Sequence, residues 1–220
     1  MRIFIATAKL DDIRWATGHG LVDGVLTTPS LLSAEVHPAG ASELLADICR
    51  AASMPVAVTV GAVHSADIYR DARELAKLGD GVLVQIPFVE DAVVAMKKLS
   101  AEGIRVAATL VFNAAQGLLA AKAGATTVCV HLDQLDAQGS DGVDTIASMH
   151  RLFTMHGVEC DVLAALPRNA TQFTACALAG ADAIAVSPDV LRALLLHPLT
   201  DRGLDQFLTD LSRTHRTRLK

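Results

Sequence analysis

His131 and Asp133 stand two residues apart in Val-Cys-Val-His-Leu-Asp (128–133), and on a strand that spacing points both side chains to one side. An imidazole beside a carboxylate makes a general base and its orienter; a space-filling histidine satisfied by a neighbouring hydrogen bond is the other reading. The same two residues supply two ligands for a metal, but a third is not evident, so no metal is expected. Lys9 offers a primary amine, the group that attacks a carbonyl to form an imine, although a loop-to-helix junction equally suits a solvated lysine. Arg168 offers a planar guanidinium that pairs with phosphate or carboxylate, or else forms a surface ion pair. Thr28, Thr59, Thr109 and Gln85 offer neutral hydrogen-bonding groups for hydroxyls and carbonyls. His64 either lines the same mouth or begins a helix at Ser65. His150 and His156, six apart on an expected helix, lack the spacing that shared ligation needs, and His19 and His37 fall in loop-like segments.

What must position these groups is a run of short, β-branched segments separated by helical patterning. The segments are 2–7, 22–28, 55–60, 81–86, 104–111, 126–132, 160–166 and 182–187. Helical stretches such as Ser65–Leu78 and Val89–Ala101 end at Gly79 and Gly103, as helices commonly do. Strand and helix alternating eight times predicts a single-domain (β/α)8 barrel over residues 1–220. Residues 200–220 are set apart as a C-terminal helix and basic tail, with the helix over Asp205–Arg213 and Leu204, Phe207, Leu208 and Leu211 on one face. In such a barrel the chemistry sits at the C-terminal ends of the strands. The ring there is Ala6, Thr7 and Lys9, then Thr27, Thr28 and Ser30, Thr59, Gln85, Thr109 with Asn113 and Gln116, His131 with Asp133 and Asp136, Arg168 and Asn169, and Ser187 with Asp189.

Composition narrows the partners. Of the 220 residues 51% are hydrophobic and 20% charged, which suits a buried parallel sheet ringed by helices. A net charge of −5 argues against nucleic acid, and Arg213, Arg216, Arg218 and Lys220 read as a solvated terminus. There is no GxGxxG or Walker loop, which argues against an open doubly wound sheet, and no cofactor is expected. Cys49, Cys129, Cys160 and Cys176 have no CxxC spacing and read as small core residues in a reducing compartment. The first residues carry no signal-peptide pattern and no apolar run approaches membrane-spanning length, so a cytoplasmic protein without a membrane partner is expected.

Several segments, taken in order, resemble the small transaldolase family, in particular its fructose-6-phosphate aldolase branch. They are Leu-Val-Asp-Gly-Val-Leu-Thr-Thr-Pro-Ser (21–30), Ala-Glu-Gly-Ile (101–104), Asn-Ala-Ala-Gln-Gly-Leu (113–118), Ala-Gly-Ala (123–125) and Asp-Ala-Gln-Gly-Ser-Asp-Gly (136–142). The resemblance runs from Phe4 to the last helix. It implies a barrel in which a fourth-strand lysine forms a Schiff base with a ketose or dihydroxyacetone unit, followed by aldol cleavage or transfer. In this chain that position is Gln85, in Val-Leu-Val-Gln-Ile-Pro (82–87). A glutamine amide forms no iminium, because its nitrogen lone pair is delocalised. The resemblance also implies an aspartate where Ala6 stands, an asparagine where Thr28 stands, a glutamine where Thr59 stands and a tyrosine where His131 stands. It implies an arginine and a serine for phosphate where Gln134 and Leu166 stand. Thr109 and the turn after it keep the family's type.

Three functions follow from this set. The first is a divergent enzyme of the lineage acting on small sugars or hydroxy-carbonyl compounds, with His131 as acid or base and Thr109, Gln85 and Thr28 binding hydroxyls. The second is a pseudoenzyme that binds a small ligand. The third is a structural homo-oligomer assembled through the C-terminal helix.

Overall fold

A computed structural model describes residues 1–218, with side chains described through Leu211. Eight parallel strands close in chain order into a barrel. They are β1 (Arg2–Ala6), β2 (Gly24–Leu26), β3 (Val56–Thr59), β4 (Val82–Pro87), β5 (Val106–Thr109), β6 (Thr127–His131), β7 (Asp161–Ala165) and β8 (Ala183–Val186). The helices are α1 (Leu10–Gly18), α2 (Pro29–Glu35), α3 (Ala41–Ala52), α4 (Ser65–Ala76), α5 (Glu90–Ala101), α6 (Ala114–Lys122), α7 (Leu132–Ala137), α8 (Gly142–His156), α9 (Ala170–Leu178), α10 (Pro188–Ala193) and α11 (Pro198–Arg218). The (β/α)8 expectation is met, and each strand lies inside or within a residue of its expected segment.

Alternation along the strands sorts the hydrophobic residues into two layers. Outward positions such as Ile5, Val25, Val58, Val84, Ile86, Val130 and Ile184 join the inner faces of the helices in one large core. Inward positions form a second, smaller cluster of Phe4, Ala6, Leu26, Ala57, Leu83, Ala107, Cys129, Leu163, Ala165, Ala183 and Ala185. Phe4 pairs in register with Gly24. A Cβ at Gly24 would fall 2.4 Å from the Phe4 ring, so the glycine is what lets an aromatic side chain fill the barrel there.

The strand-to-helix joints after β5 and β7 are built alike. In Thr-Leu-Val-Phe-Asn (109–113) and Ala-Leu-Pro-Arg-Asn (165–169), the leucine takes a left-handed backbone, with φ of 58° at Leu110 and 61° at Leu166. The asparagine then caps the helix: Asn113 Oδ1 accepts from Gln116 N at 2.9 Å, and Asn169 Oδ1 accepts from Gln172 N at 2.9 Å. Each glutamine reaches back in turn, Gln116 Oε1 accepting from Phe112 N and Gln172 Oε1 from Arg168 N. These reciprocal bonds satisfy amides that a helix start leaves without partners.

Two expectations are corrected. The terminal helix expected over Asp205–Arg213 runs over Pro198–Arg218 instead, because proline sets its first turn and the helix continues through Gly203. Within it Leu204, Phe207, Leu208 and Leu211 are all exposed. The side chains of the basic tail, Arg213, Arg216, Arg218 and Lys220, lie outside the described residues. The other correction concerns Asp133. β6 ends at His131 and α7 begins at Leu132, so His131 and Asp133 do not share a strand.

Candidate functional site

At the C-terminal mouth of the barrel, Gln85 is 2% exposed and points inward from β4, two residues beyond Leu83 of the inner cluster. Its Nε2 donates to the carbonyl oxygen of Thr27 at 3.0 Å, so the amide is fixed across the space in front of β3. Thr27 directs its own hydroxyl to Ala57 O at 2.8 Å and braces the second strand against the third. Thr59 is half-buried at the end of β3, and by alternation with Ala57 it faces the same interior. It also borders a groove of about 400 Å³ between α3 and α4.

On the next strands, Thr109 Oγ1 and His131 Nε2 form a hydrogen bond of 2.8 Å, with both residues buried. The Cys129 thiol lies 3.8 Å from the same ring nitrogen. Burial lowers the imidazole below the usual histidine range, with the Asp133 carboxylate opposing it, so at neutral pH the ring is an uncharged donor and acceptor. Burial pushes the Cys129 thiol up to about 12 and keeps it protonated.

The remaining sequence-expected residues sit farther out. Asp133 is exposed in the first turn of α7 and acts on the imidazole through charge, while the imidazole's hydrogen bond goes to Thr109. Gln134 is exposed on the same short helix. Thr28 caps α2, its hydroxyl oxygen accepting from Leu31 N at 3.2 Å. Arg168 is paired with Asp136 at 2.6 Å, and Gln172 Nε2 donates to the same carboxylate oxygen at 2.9 Å. Its guanidinium is therefore engaged by a carboxylate, as a surface ion pair would be. Lys9 is largely exposed, lies 4.0 Å from Glu35, and lines a surface pocket of about 630 Å³ with Asp12, Asp189 and Arg192. His64 pairs with Asp91 at 3.2 Å on the exposed rim beside β3 and β4.

The sequence reading passed over one property of the ring. An inward residue at or near the C-terminal end of the strand is polar on four consecutive strands, with Thr59, Gln85 (followed by Pro87 on the same face), Thr109 and His131 on β3 to β6. It is apolar on the other four, with Ala165, Ala185, Ala6 and Leu26 on β7, β8, β1 and β2. Alternation combined with the strand order would have revealed it. Among the described residues no group of three or more His, Cys, Asp or Glu is placed to hold a metal ion, and no helix is long and apolar enough to cross a membrane.

A closed parallel barrel of eight strands, each followed by a helix, defines the (β/α)8 class of proteins. Residues 3–219 match the Transaldolase/Fructose-6-phosphate aldolase family, and the chain belongs to it. It is 39% identical over 213 residues to a probable transaldolase of Hyphomonas neptunium, covering 97% of this chain and 98% of that protein. A probable transaldolase of Kosmotoga olearia is 39% identical over 210 residues, covering 96% and 95%. One of Bacillus cereus is 37% identical over 214 residues, covering 97% and 99%.

Proposed function

We propose that this transaldolase-family chain handles small sugars or hydroxy-carbonyl compounds of carbohydrate metabolism without a Schiff base. On this reading it is divergent from, or inactive in, the aldol chemistry implied by the family resemblance. The observation that carries the reading is Gln85: it occupies the inward fourth-strand position, is buried, and spends one amide N–H on Thr27 O. An amide held in that way is a hydrogen-bonding group and not a nucleophile. Ala6, on the first strand, supplies no carboxylate to move a proton.

The groups that remain suit non-covalent recognition. Thr109 and the neutral His131 provide a hydroxyl and an imidazole that can orient a carbonyl or carry a proton, while Gln85 and Thr59 provide further polar contacts. With Arg168 occupied by Asp136 and with Gln134 and Leu166 uncharged, an uncharged ligand fits this mouth better than a phosphorylated one. A second reading, assembly into a homo-oligomer, is favoured by the apolar face of α11, where Leu204, Phe207, Leu208 and Leu211 are 45–58% exposed.

The test is incubation with dihydroxyacetone, fructose or fructose 6-phosphate in the presence of borohydride, followed by intact-protein mass. Borohydride fixes an imine as a stable adduct, so the expected result is an unchanged mass beside a control aldolase that labels. A ligand-sized increase mapped to a lysine such as Lys9 would show that imine chemistry has moved and would sink the proposal.

A further inference from the structure

We infer that the bond between Thr109 and His131 is an acid-sensitive latch on the barrel mouth: when the ring takes a proton, α7 loosens and the mouth opens. Such a latch is independent of the compound that the mouth receives. At the strand ends Gln85, Thr109, His131, Ala6, Leu26 and Ala165 are 0–7% exposed, so the mouth is closed around them.

One residue joins the mouth to a helix. His131 ends β6, where it pairs in register with Ala165 of β7, and it is also the residue that precedes α7, a helix of six residues beginning at Leu132. Its Nε2 bonds Thr109 Oγ1 on β5 at 2.8 Å, and its side chain makes no capping bond to the helix. Among the described residues, two titratable groups reach the ring. The Cys129 thiol lies 3.8 Å away on β6 and stays protonated, and the exposed Asp133 carboxylate acts by charge from the first turn of α7. The facing residues of β5 and β7, Thr109 and Ala165, are uncharged.

A proton on this ring is doubly misplaced. It sets a cation against the N-terminal end of α7, where free amides and aligned peptide dipoles already carry positive charge, and so weakens the first turn. It also charges a buried group whose hydrogen bond goes to a hydroxyl and not to a carboxylate. Loosening α7 relieves both, because water reaches the imidazolium and Asp133 is freed to pair with it. While the ring is neutral, the buried Leu132 and Leu135 tie α7 to the core and the closed form dominates. The open form holds the proton more tightly and titrates near the ordinary value of about 6.5. Below that value each pH unit favours opening by up to about tenfold, until the closed form takes up the proton too.

The experiment is hydrogen–deuterium exchange of the full chain read by mass spectrometry between pH 7.5 and 5, each rate being divided by that of the same peptide in the unfolded chain at the same pH. Peptides covering His131–Ala137 are expected to lose protection about tenfold or more as the pH falls, while peptides from β1 and β8 keep theirs. Alkylation of Cys129, referred to the unfolded chain in the same way, is expected to rise in step. In His131→Gln the acid effect should vanish; in Asp133→Asn, a change at an exposed position, it should shrink at least about threefold. Constant protection of α7 in the unaltered protein, or an equal loss in His131→Gln, overturns the latch. So does an equal loss in every peptide, which would mean that acid unfolds the whole barrel. Loosening of α7 with Cys129 still unreactive overturns the opening of the mouth, and an undiminished loss in Asp133→Asn overturns the pairing of that carboxylate with the ring. The unaltered protein and Asp133→Asn decide the question even where His131→Gln fails to fold.

Discussion

Replacing Gln85 by lysine puts an amine at the one inward position where the resemblance implies an imine-forming group, and the structure sets what that amine would meet. The native side chain is 2% exposed and donates to Thr27 O, and Ala6 offers no carboxylate to balance an ammonium. Desolvation without a counter-charge disfavours the charged amine. If the site lowers it from about 10.4 to about 8, the folded protein loses roughly 3 kcal/mol at pH 7 relative to an unperturbed lysine. The sign follows from proton binding: the unfolded chain holds the proton more tightly, so the loss is complete below the folded value and fades as pH rises toward the unfolded one. For a chain of this length that corresponds to a melting temperature about 6–12 °C lower at pH 7, recovering by pH 10. The assay is thermal unfolding of Gln85→Lys and of the unaltered protein across that range, followed by borohydride trapping and an aldol-cleavage assay at pH 8. The expected outcome is a pH-dependent instability and a trappable imine without restored turnover, because no carboxylate stands at position 6 to move the proton. Normal stability at pH 7, or fructose 6-phosphate cleavage from this single change, would refute the reasoning about the mouth.

Three further outcomes are expected. Burial depresses the His131 imidazole, so its contribution is held above the unfolded histidine value and is lost as pH falls through that value toward the folded one; His131→Gln should flatten the melting temperature between pH 7.5 and 5. Gly24→Ala should cost about 1–3 kcal/mol in chemical denaturation, since the new Cβ falls 2.4 Å from the Phe4 ring inside the barrel. Phe207→Asp with Leu211→Asp, on the exposed face of α11, should lower the particle mass seen by light scattering while leaving the circular dichroism spectrum unchanged; a mass identical to that of the unaltered protein would remove assembly through this helix.

The barrel was legible in the sequence because the strands are short apolar runs and several joints carry a side-chain cap or a glycine stop. Most strand ends were read one or two residues too long, as at 22–28 against Gly24–Leu26, because Thr27 and Thr28 suit a strand but serve the next strand and the next helix instead; β4 alone runs one residue past its expected end, to Pro87. The pairing of His131 with Asp133 failed for a related reason. α7 starts directly after β6, so alternation stops at His131 and the following carboxylate leaves the interior. Gln85 could be placed from its neighbours alone, since Leu83 and Gln85 lie on one face of a strand whose other face is Val82, Val84 and Ile86. The bond from Thr109 to His131 joins residues on adjacent strands, and the Arg168–Asp136 pair bridges the loops after two strands; no local spacing encodes either contact.

The twin joints after β5 and β7 make the barrel partly modular. Each uses a left-handed leucine, a capping asparagine and a returning glutamine to turn the chain from strand to helix. What differs is the residue that precedes each bend, the buried Thr109 in one case and the buried Ala165 in the other. The turning machinery is thereby separated from the chemistry. The bend is thus set by residues other than the one that faces the interior, so the interior residue at each strand end differs while the turn stays the same.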